Sequence, residues 1–282
     1  MRKIIPLEPI DYLVVGHITR DLTEEGPRIG GTVAYAGLTA RALGLRVGIV
    51  TSWGEEDTLG PLGDIPIANL AADKSTTFEN LNAPDGRVQI IHSVASRLDL
   101  HLIPETWRSA PIVHLGPVAQ EVEPGLVRYF PASLICLTPQ GWLRAWDQEG
   151  SVFPTEWPEA PFLLSQAGAV VVSVEDVEGD ESRIEEMASH CRVLAVTEAA
   201  EGARLYWHGD VRRFRRTAIK EIDPTGAGDI FAAAFFTRLH STRDPWEAAR
   251  FATYLSSFSV TRTGLDSIPT AAEIEESMVE VF

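Results

Sequence analysis

"DPTGAGDIFAAAFFTRL" occupies residues 223–239. Ile230, Phe231, Ala234, Phe235 and Leu239 recur at helical spacing, which predicts a buried helix starting at this turn. Pro224 stiffens the approach, and Gly226 and Gly228 admit backbone angles that other residues resist. The first amides of a helix have no partner inside it and carry the positive end of its dipole. Gly226, Ala227 and Gly228 leave those amides uncovered, so the turn is a candidate anion site made of backbone. Asp229 would repel a resting anion beside it. As a proton acceptor next to a transferring phosphoryl group it makes sense. On its own, the stretch reads more simply as a helix start with an acid favourable to the dipole.

Outward from this turn, short apolar runs alternate with helical patterns. "YLVVG" (12–16) precedes the helical "VAYAGLTARALG" (33–44) and then "RVGIVT" (46–51). "PIVHLG" (111–116), "SLICLT" (133–138), "AVVVSV" (169–174) and "RVLAVT" (192–197) follow. Nearly continuous aliphatic runs are expected of strands buried on both faces. Their alternation with helices predicts an α/β fold with a mostly parallel sheet, whose ligands sit beyond the carboxyl ends of the strands. Residues 76–103 break the pattern. "PDG" (84–86) between two β-like runs predicts a hairpin outside the main sheet, a cover over the site or a plain surface hairpin.

Composition narrows the function. The chain has 282 residues, 24 basic against 40 acidic, and a net charge of −16. That argues against nucleic acid and anionic membrane as partners. The N-terminus has no signal-peptide layout and no apolar run approaches membrane length. Cys136 and Cys191 sit in or beside apolar runs, read as buried strand thiols, and fit a reducing cytoplasm. "VRRFRR" (211–216) reads as a solvated strand face. The tryptophans of "GWLRAWDQEGSVFPTEW" (141–157) read as core packing or, by a slight preference, a pocket wall. No GxxxxGK[ST] loop and no dinucleotide fingerprint occurs, which argues against P-loop enzymes and dehydrogenases.

"DPTGAGDIFAAAF" resembles the C-terminal signature of the ribokinase-like sugar kinases, the phosphofructokinase B family. "GGTVAYAGLTARALGLRVGIVTSWGEED" (30–57), "VLAVTEAAEGARLY" (193–206) and "VTRTGLDSIPT" (260–270) resemble other family segments in the same order. "TPQGWLRAWD" (138–147) is similar to the subgroup that includes inositol kinases. The resemblance implies a single kinase domain over 1–282, a three-layer ribokinase-like fold, and a small reduced β lid that includes 76–103. It implies a cytoplasmic, ATP- and Mg²⁺-dependent carbohydrate kinase acting on a hydroxyl of a sugar, polyol or cyclitol. Its partners would be a small-molecule acceptor and a nucleotide, and the protein a monomer or weak homodimer. Alternatives are a kinase of a nucleoside or vitamin alcohol, and an inactive nucleotide-binding regulator.

The roles implied are residue by residue. Asp229 matches the catalytic base, and Gly226, Ala227 and Gly228 match the anion hole. Asp21, Gly30, Gly31 and Tyr35 match the acceptor site, joined by Gln140 and Arg144. Thr197, Gly202 and Thr225 match the nucleotide side, and Ser173 and Asp176 stand where the family has N-x-x-E for magnesium. Asp223, Thr225 and the carbonyls near Val260 and Thr263 match the region where many relatives hold a monovalent cation such as K⁺. Tyr35 departs from the family's Asn, and Ala199 fills a glycine place of the nucleotide turn. About nine residues separate Asp21 from Gly30, too few for a lid hairpin of usual length.

Overall fold

A computed structural model describes residues 8–54, 58–83 and 86–278. Residues 55–57, which end the family-like segment 30–57, and 84–85 of the expected turn lie outside the described residues. Strand β1 (Tyr12–Val15) is wholly buried. Successive strand side chains point to opposite faces, so Tyr12 and Val14 join one core while Leu13 and Val15 join another. Both faces of the sheet are therefore covered, as the continuous apolar runs demand.

The chain next leaves the main sheet as β2 (Thr19–Thr23) and β3 (Gly26–Gly30), paired antiparallel. The spacing that suggested too little chain for a hairpin is sufficient. Only Glu24 and Glu25 connect the strands, and two residues are the shortest common hairpin link. Helix α1 (Thr32–Ala42), β4 (Val47–Trp53) and β5 (Ile67–Ala71) return to the main body. Strands β6 (Thr76–Ala83) and β7 (Gly86–Ser93) pair antiparallel, and β6 runs parallel to β2. The lid is thus a four-stranded sheet in the order β3-β2-β6-β7, and its hairpin ends at residue 93, not 103.

Then come β8 (Ile112–Leu115), β9 (Leu134–Leu137), a small hairpin of β10 (Arg144–Trp146) and β11 (Val152–Pro154), α2 (Ala160–Gln166), β12 (Ala169–Ser173), α3 (Glu181–His190) and β13 (Val193–Thr197). Strands β14 (Ala203–Trp207) and β15 (Asp210–Phe214) and helices α4 (Ala227–Thr242), α5 (Pro245–Ser259) and α6 (Ala271–Ser277) end the order. The main sheet runs β15-β14-β13-β12-β9-β8-β1-β4-β5, parallel from β13 to β5 and antiparallel at β14 and β15.

Helices α1, α4 and α5 pack on one face, around Phe231, Phe235, Phe236 and Phe251. Helices α2 and α3 cover the other, with Trp107, Phe130 and Trp142. This is the expected three-layer arrangement. Chain direction across the sheet reverses between β1 and β8, and such a switch point opens a crevice at the carboxyl ends of the strands. Among the described residues no helix is long and apolar enough to cross a membrane.

Two side-chain expectations change. Cys136 is buried in β9, but Cys191 caps the end of α3 and is only partly buried. Trp142 and Trp157 stack at 5.4 Å inside the α2–α3 core, so they are packing and not pocket wall.

Candidate active site

The carboxyl ends of the strands, the first turn of α4 and the lid enclose one cavity of about 620 Å³. Gly226 caps α4 with φ 79°, in the left-handed region. A Cβ there would lie 2.2 Å from Tyr35 Cδ1, so this position takes glycine for both backbone and space. Gly228 differs: a Cβ there would meet nothing within 4 Å, because the site faces the open cavity. Ala227 lines the cavity between them, and its amide donates to the Pro224 carbonyl at 3.1 Å, so of the three small residues it is not the one left to meet an anion.

Asp229 lies in the first turn of α4 and lines the cavity. It is half-buried in exposed area, yet protein atoms crowd its carboxyl. That burial raises its pKa to about 6. A hydrogen bond from Thr32 opposes the rise; Asp176 adds to it, Arg144 opposes it and Asp21 adds to it. Asp229 is therefore not an ordinary aspartate with a pKa near ~4. Its acidity lies closer to neutral pH, where a general base works best.

On the lid side, Asp21 of β2 accepts a hydrogen bond from Thr19 Oγ1 at 2.8 Å. Gly30 lies beneath Asp21: a Cβ there would be 2.1 Å from Asp21 Oδ2. Gly30 thus makes room for the carboxylate and does not itself line the cavity, whereas Gly31 does. Tyr35 of α1 is buried against the Gly226 turn and also lines the cavity. Burial pushes its phenol up, reinforced by Asp21, Asp229 and Asp223, so it stays protonated.

Gln140 and Arg144 follow β9 and line the same cavity. Gln140 Nε2 donates to Asp176 Oδ1 at 3.0 Å, so the expected acceptor ligand also holds a donor-side acid in place. Sequence reasoning missed the lid's inner face. Phe78, Asn80 and Gln89 look into the cavity, and Gln89 Nε2 donates to Asn80 Oδ1 at 3.0 Å. It also missed Leu143, Val152, Phe153 and Pro154, which make the apolar wall given to the tryptophans. The alternation of the β6 and β7 runs carried the first signal. Nothing local marked the second.

The other half of the cavity is lined by Ser173, Asp176, Thr197, Gly202 and Thr225, all expected there. Ser173 and Asp176 form a capping box: Ser173 Oγ accepts from Glu175 N and Asp176 Oδ2 accepts from Ser173 N. Glu175, unforeseen, is exposed and lines the cavity beside them. Arg216, read as part of a solvated face, turns inward and pairs with Glu221 at 3.0 Å along the cavity, while Arg212 and Arg213 are exposed as expected. Ala199, in the family's glycine place, takes φ 47°.

Two members of the expected cation site, Val260 and Asp223, are engaged within the protein. The Val260 carbonyl accepts from both Ile222 N and Asp223 N, which uses both lone pairs. Asp223 accepts from Thr225 N and Gly264 N. Burial would raise Asp223, but those hydrogen bonds outweigh it and hold the carboxyl below its usual range. These groups bind the two segments to each other. Among the described residues no group of three or more His, Cys, Asp or Glu side chains could hold a metal ion.

Comparison with known proteins agrees with this geometry. Residues 151–271 match the model of the pfkB family of carbohydrate kinases. The inositol 3-kinase of Oryza sativa subsp. japonica is 25% identical over 284 residues, covering 92% of this chain and 70% of that protein. The cytidine kinase of Thermococcus kodakarensis is 24% identical over 262 residues, covering 86% of this chain and 92% of its own. A pyrophosphate-dependent kinase in the ribokinase family, solved with a pyrophosphate analog and myo-inositol, superposes with a TM-score of 0.77 at 20% identity, covering 95% of this chain and 100% of that one. At that identity the likeness establishes the fold. The α4 turn lies within the matched segment, with Ser173, Asp176 and Thr197, while Asp21, Tyr35, Gln140 and Arg144 precede it; over 151–271 the chain is similar to the pfkB family of carbohydrate kinases, and its fold is the ribokinase fold.

Proposed function

We propose that the 282-residue chain acts as one kinase domain and transfers the γ-phosphoryl group of ATP to a hydroxyl of a sugar, polyol or cyclitol. The observation that carries this is the placement of Asp229. Its carboxyl, with a pKa raised to about 6, shares one cavity with Asp21 and Arg144 on one side and the Gly226–Gly228 turn on the other. Asp229 takes the proton of the acceptor hydroxyl as that oxygen bonds to phosphorus. The bond to the bridging oxygen breaks, and the nucleoside diphosphate leaves with the electron pair. The transition state is loose, so positioning and charge stabilisation supply most of the rate. The amides at the start of α4 meet the charge on the moving phosphoryl oxygens.

Asp21, Gly31 and Tyr35 form the acceptor floor, and the lid's Phe78 and Asn80 cover it and keep water out. Asp176 and Glu175 are the carboxylates of the donor half. They suit a Mg²⁺ ion held through water, which would neutralise donor phosphate charge. An inositol-like cyclitol is the favoured acceptor. Gln140 and Arg144 stand beyond the end of β9, and the inositol 3-kinase relative aligns over most of this chain.

The test is a product assay with ATP and, separately, pyrophosphate as donor, across inositols, ribose, fructose and nucleosides. ATP-dependent phosphorylation of a cyclitol or sugar is expected. Turnover of nucleosides alone, or no turnover with Mg-ATP bound, would replace this reading with one of its alternatives.

A further inference from the structure

Behind the acceptor half of the cavity lies a buried polar chain to which the reaction assigns no part. Tyr12 and His114 are both fully buried in the core. The Tyr12 hydroxyl lies 2.9 Å from His114 Nδ1, and His114 Nε2 lies 2.9 Å from Thr138 Oγ1. Thr138 stands directly after β9 and lines the cavity. Resting on the kinase reading above, we infer that Tyr12 and His114 commit the Thr138 hydroxyl as a hydrogen-bond donor into the cavity, where it selects an acceptor presenting an oxygen lone pair.

The argument is one of satisfying every hydrogen. A neutral imidazole has one N–H and one bare nitrogen. Burial holds His114 neutral, its pKa lowered to about 3. Two arrangements of the chain are then possible. If Nδ1 carried the hydrogen, it would donate to Tyr12, and the Tyr12 hydrogen would have no acceptor. Among the described residues the Tyr12 hydroxyl makes no other hydrogen bond. A buried hydroxyl hydrogen left unpaired is strongly disfavoured. Tyr12 therefore donates to Nδ1, and the hydrogen of His114 sits on Nε2 and points at Thr138 Oγ1.

Thr138 consequently accepts from His114 and cannot donate back to it. Its own hydrogen has no other protein acceptor among the described residues, and its open side is the cavity. The place is close to the chemistry. The point where a Gly116 Cβ would stand lies 3.1 Å from Thr138 Oγ1 and 2.5 Å from Thr32 Cγ2. Thr32 is the residue that hydrogen-bonds Asp229. The Thr138 donor is thus one side chain away from the carboxyl that takes the proton. Thr138 is a specificity-determining residue on this reading, and Tyr12 and His114 are positioning residues that act through it.

Two measurements test this, and the first does not depend on knowing the acceptor. Long-range ¹⁵N–¹H NMR of histidine-labelled protein, with His114 assigned by its change in Tyr12→Phe, should show the Nε2–H tautomer. An Nδ1–H tautomer would overturn the inference even if the kinase reading stands. The second measurement is kinetic. Thr138→Val should raise the KM for the acceptor roughly 5–10-fold, the scale of one neutral hydrogen bond, with little change in the KM for the donor, and Thr138→Ser should restore it. Tyr12→Phe should raise acceptor KM in the wild-type background and have no effect in the Thr138→Val background. Equal effects of Tyr12→Phe in both backgrounds would mean general loosening of the core and would refute the relay. Failure of every acceptor would sink the kinase reading alone, because the tautomer is read without turnover.

Discussion

Replacing Asp229 by asparagine should make the protein nearly inactive and, above pH 6, more stable. The reasoning starts from the raised pKa. Folded Asp229 titrates at about 6, against 3.8 for the unperturbed group. Between those values the folded state binds more protons than the unfolded state, so stability falls as pH rises through the window. The contribution is fully present below pH 4 and lost above pH 6. A shift of this size corresponds to about 3 kcal/mol if the carboxyl were sealed from water. It opens on the cavity, so roughly 1–3 kcal/mol is the working range. Asparagine keeps the shape, ends the cost of holding a charge there, and can still accept from Thr32. For a chain of this length the gain corresponds to a Tm increase of roughly 2–8 °C at pH 8, shrinking to nothing at pH 4. Turnover should fall roughly 10²–10⁴-fold, and the wild-type kcat/KM should show an acid limb near pH 6. The assay is a set of thermal melts from pH 4 to 8 for both proteins, with steady-state kinetics on the same preparations. A variant that melts lower than wild type at pH 8, or turns over at a near-normal rate, would refute the reasoning.

Three further outcomes are expected. Gly226→Ala forces a Cβ to 2.2 Å from Tyr35 Cδ1 at a φ of 79°, and should cost roughly 2–4 kcal/mol in denaturant melts, whereas Gly228→Ala meets no atom within 4 Å and should keep or slightly raise stability while lowering kcat about 10-fold or more. Ala199→Gly relieves a non-glycine residue at φ 47° and should stabilise by about 1 kcal/mol, read as a shift of the urea midpoint with m unchanged. Arg144→Gln removes a charge that lowers the Asp229 pKa, so the acid limb of kcat/KM should move upward from about 6; no movement would separate Arg144 from the base.

The features readable in the sequence were those that adjacent residues impose on the backbone. The Gly-Ala-Gly run had to start an apolar helix with a left-handed cap at Gly226, and the doubly buried aliphatic runs had to become inner strands of a parallel sheet. What stayed hidden were properties made by groups distant in the chain. The hairpin 19–30 was misjudged because loop length alone does not reveal that two residues suffice once β2 is paired on its other edge with β6. Trp142 and Trp157 look like a ligand wall until α2 and α3 are seen to cover them. Gln140 reads as an acceptor ligand, yet it reaches Asp176, 36 residues away, and so couples the two halves of the cavity. Val260 stands in a cation-type segment, but its carbonyl is occupied by amides from 222 and 223.

Asp229 combines both cases. The sequence names it and sets it in the first turn of a helix, whose dipole would favour the ionised form. Crowding by the cavity walls, with the charges of Asp176 and Asp21 nearby, pushes the other way and wins. A group between those opposing fields can gain or lose a proton near the pH at which it works. For Asp229 the residue's identity and place are local information, and its acidity belongs to the fold.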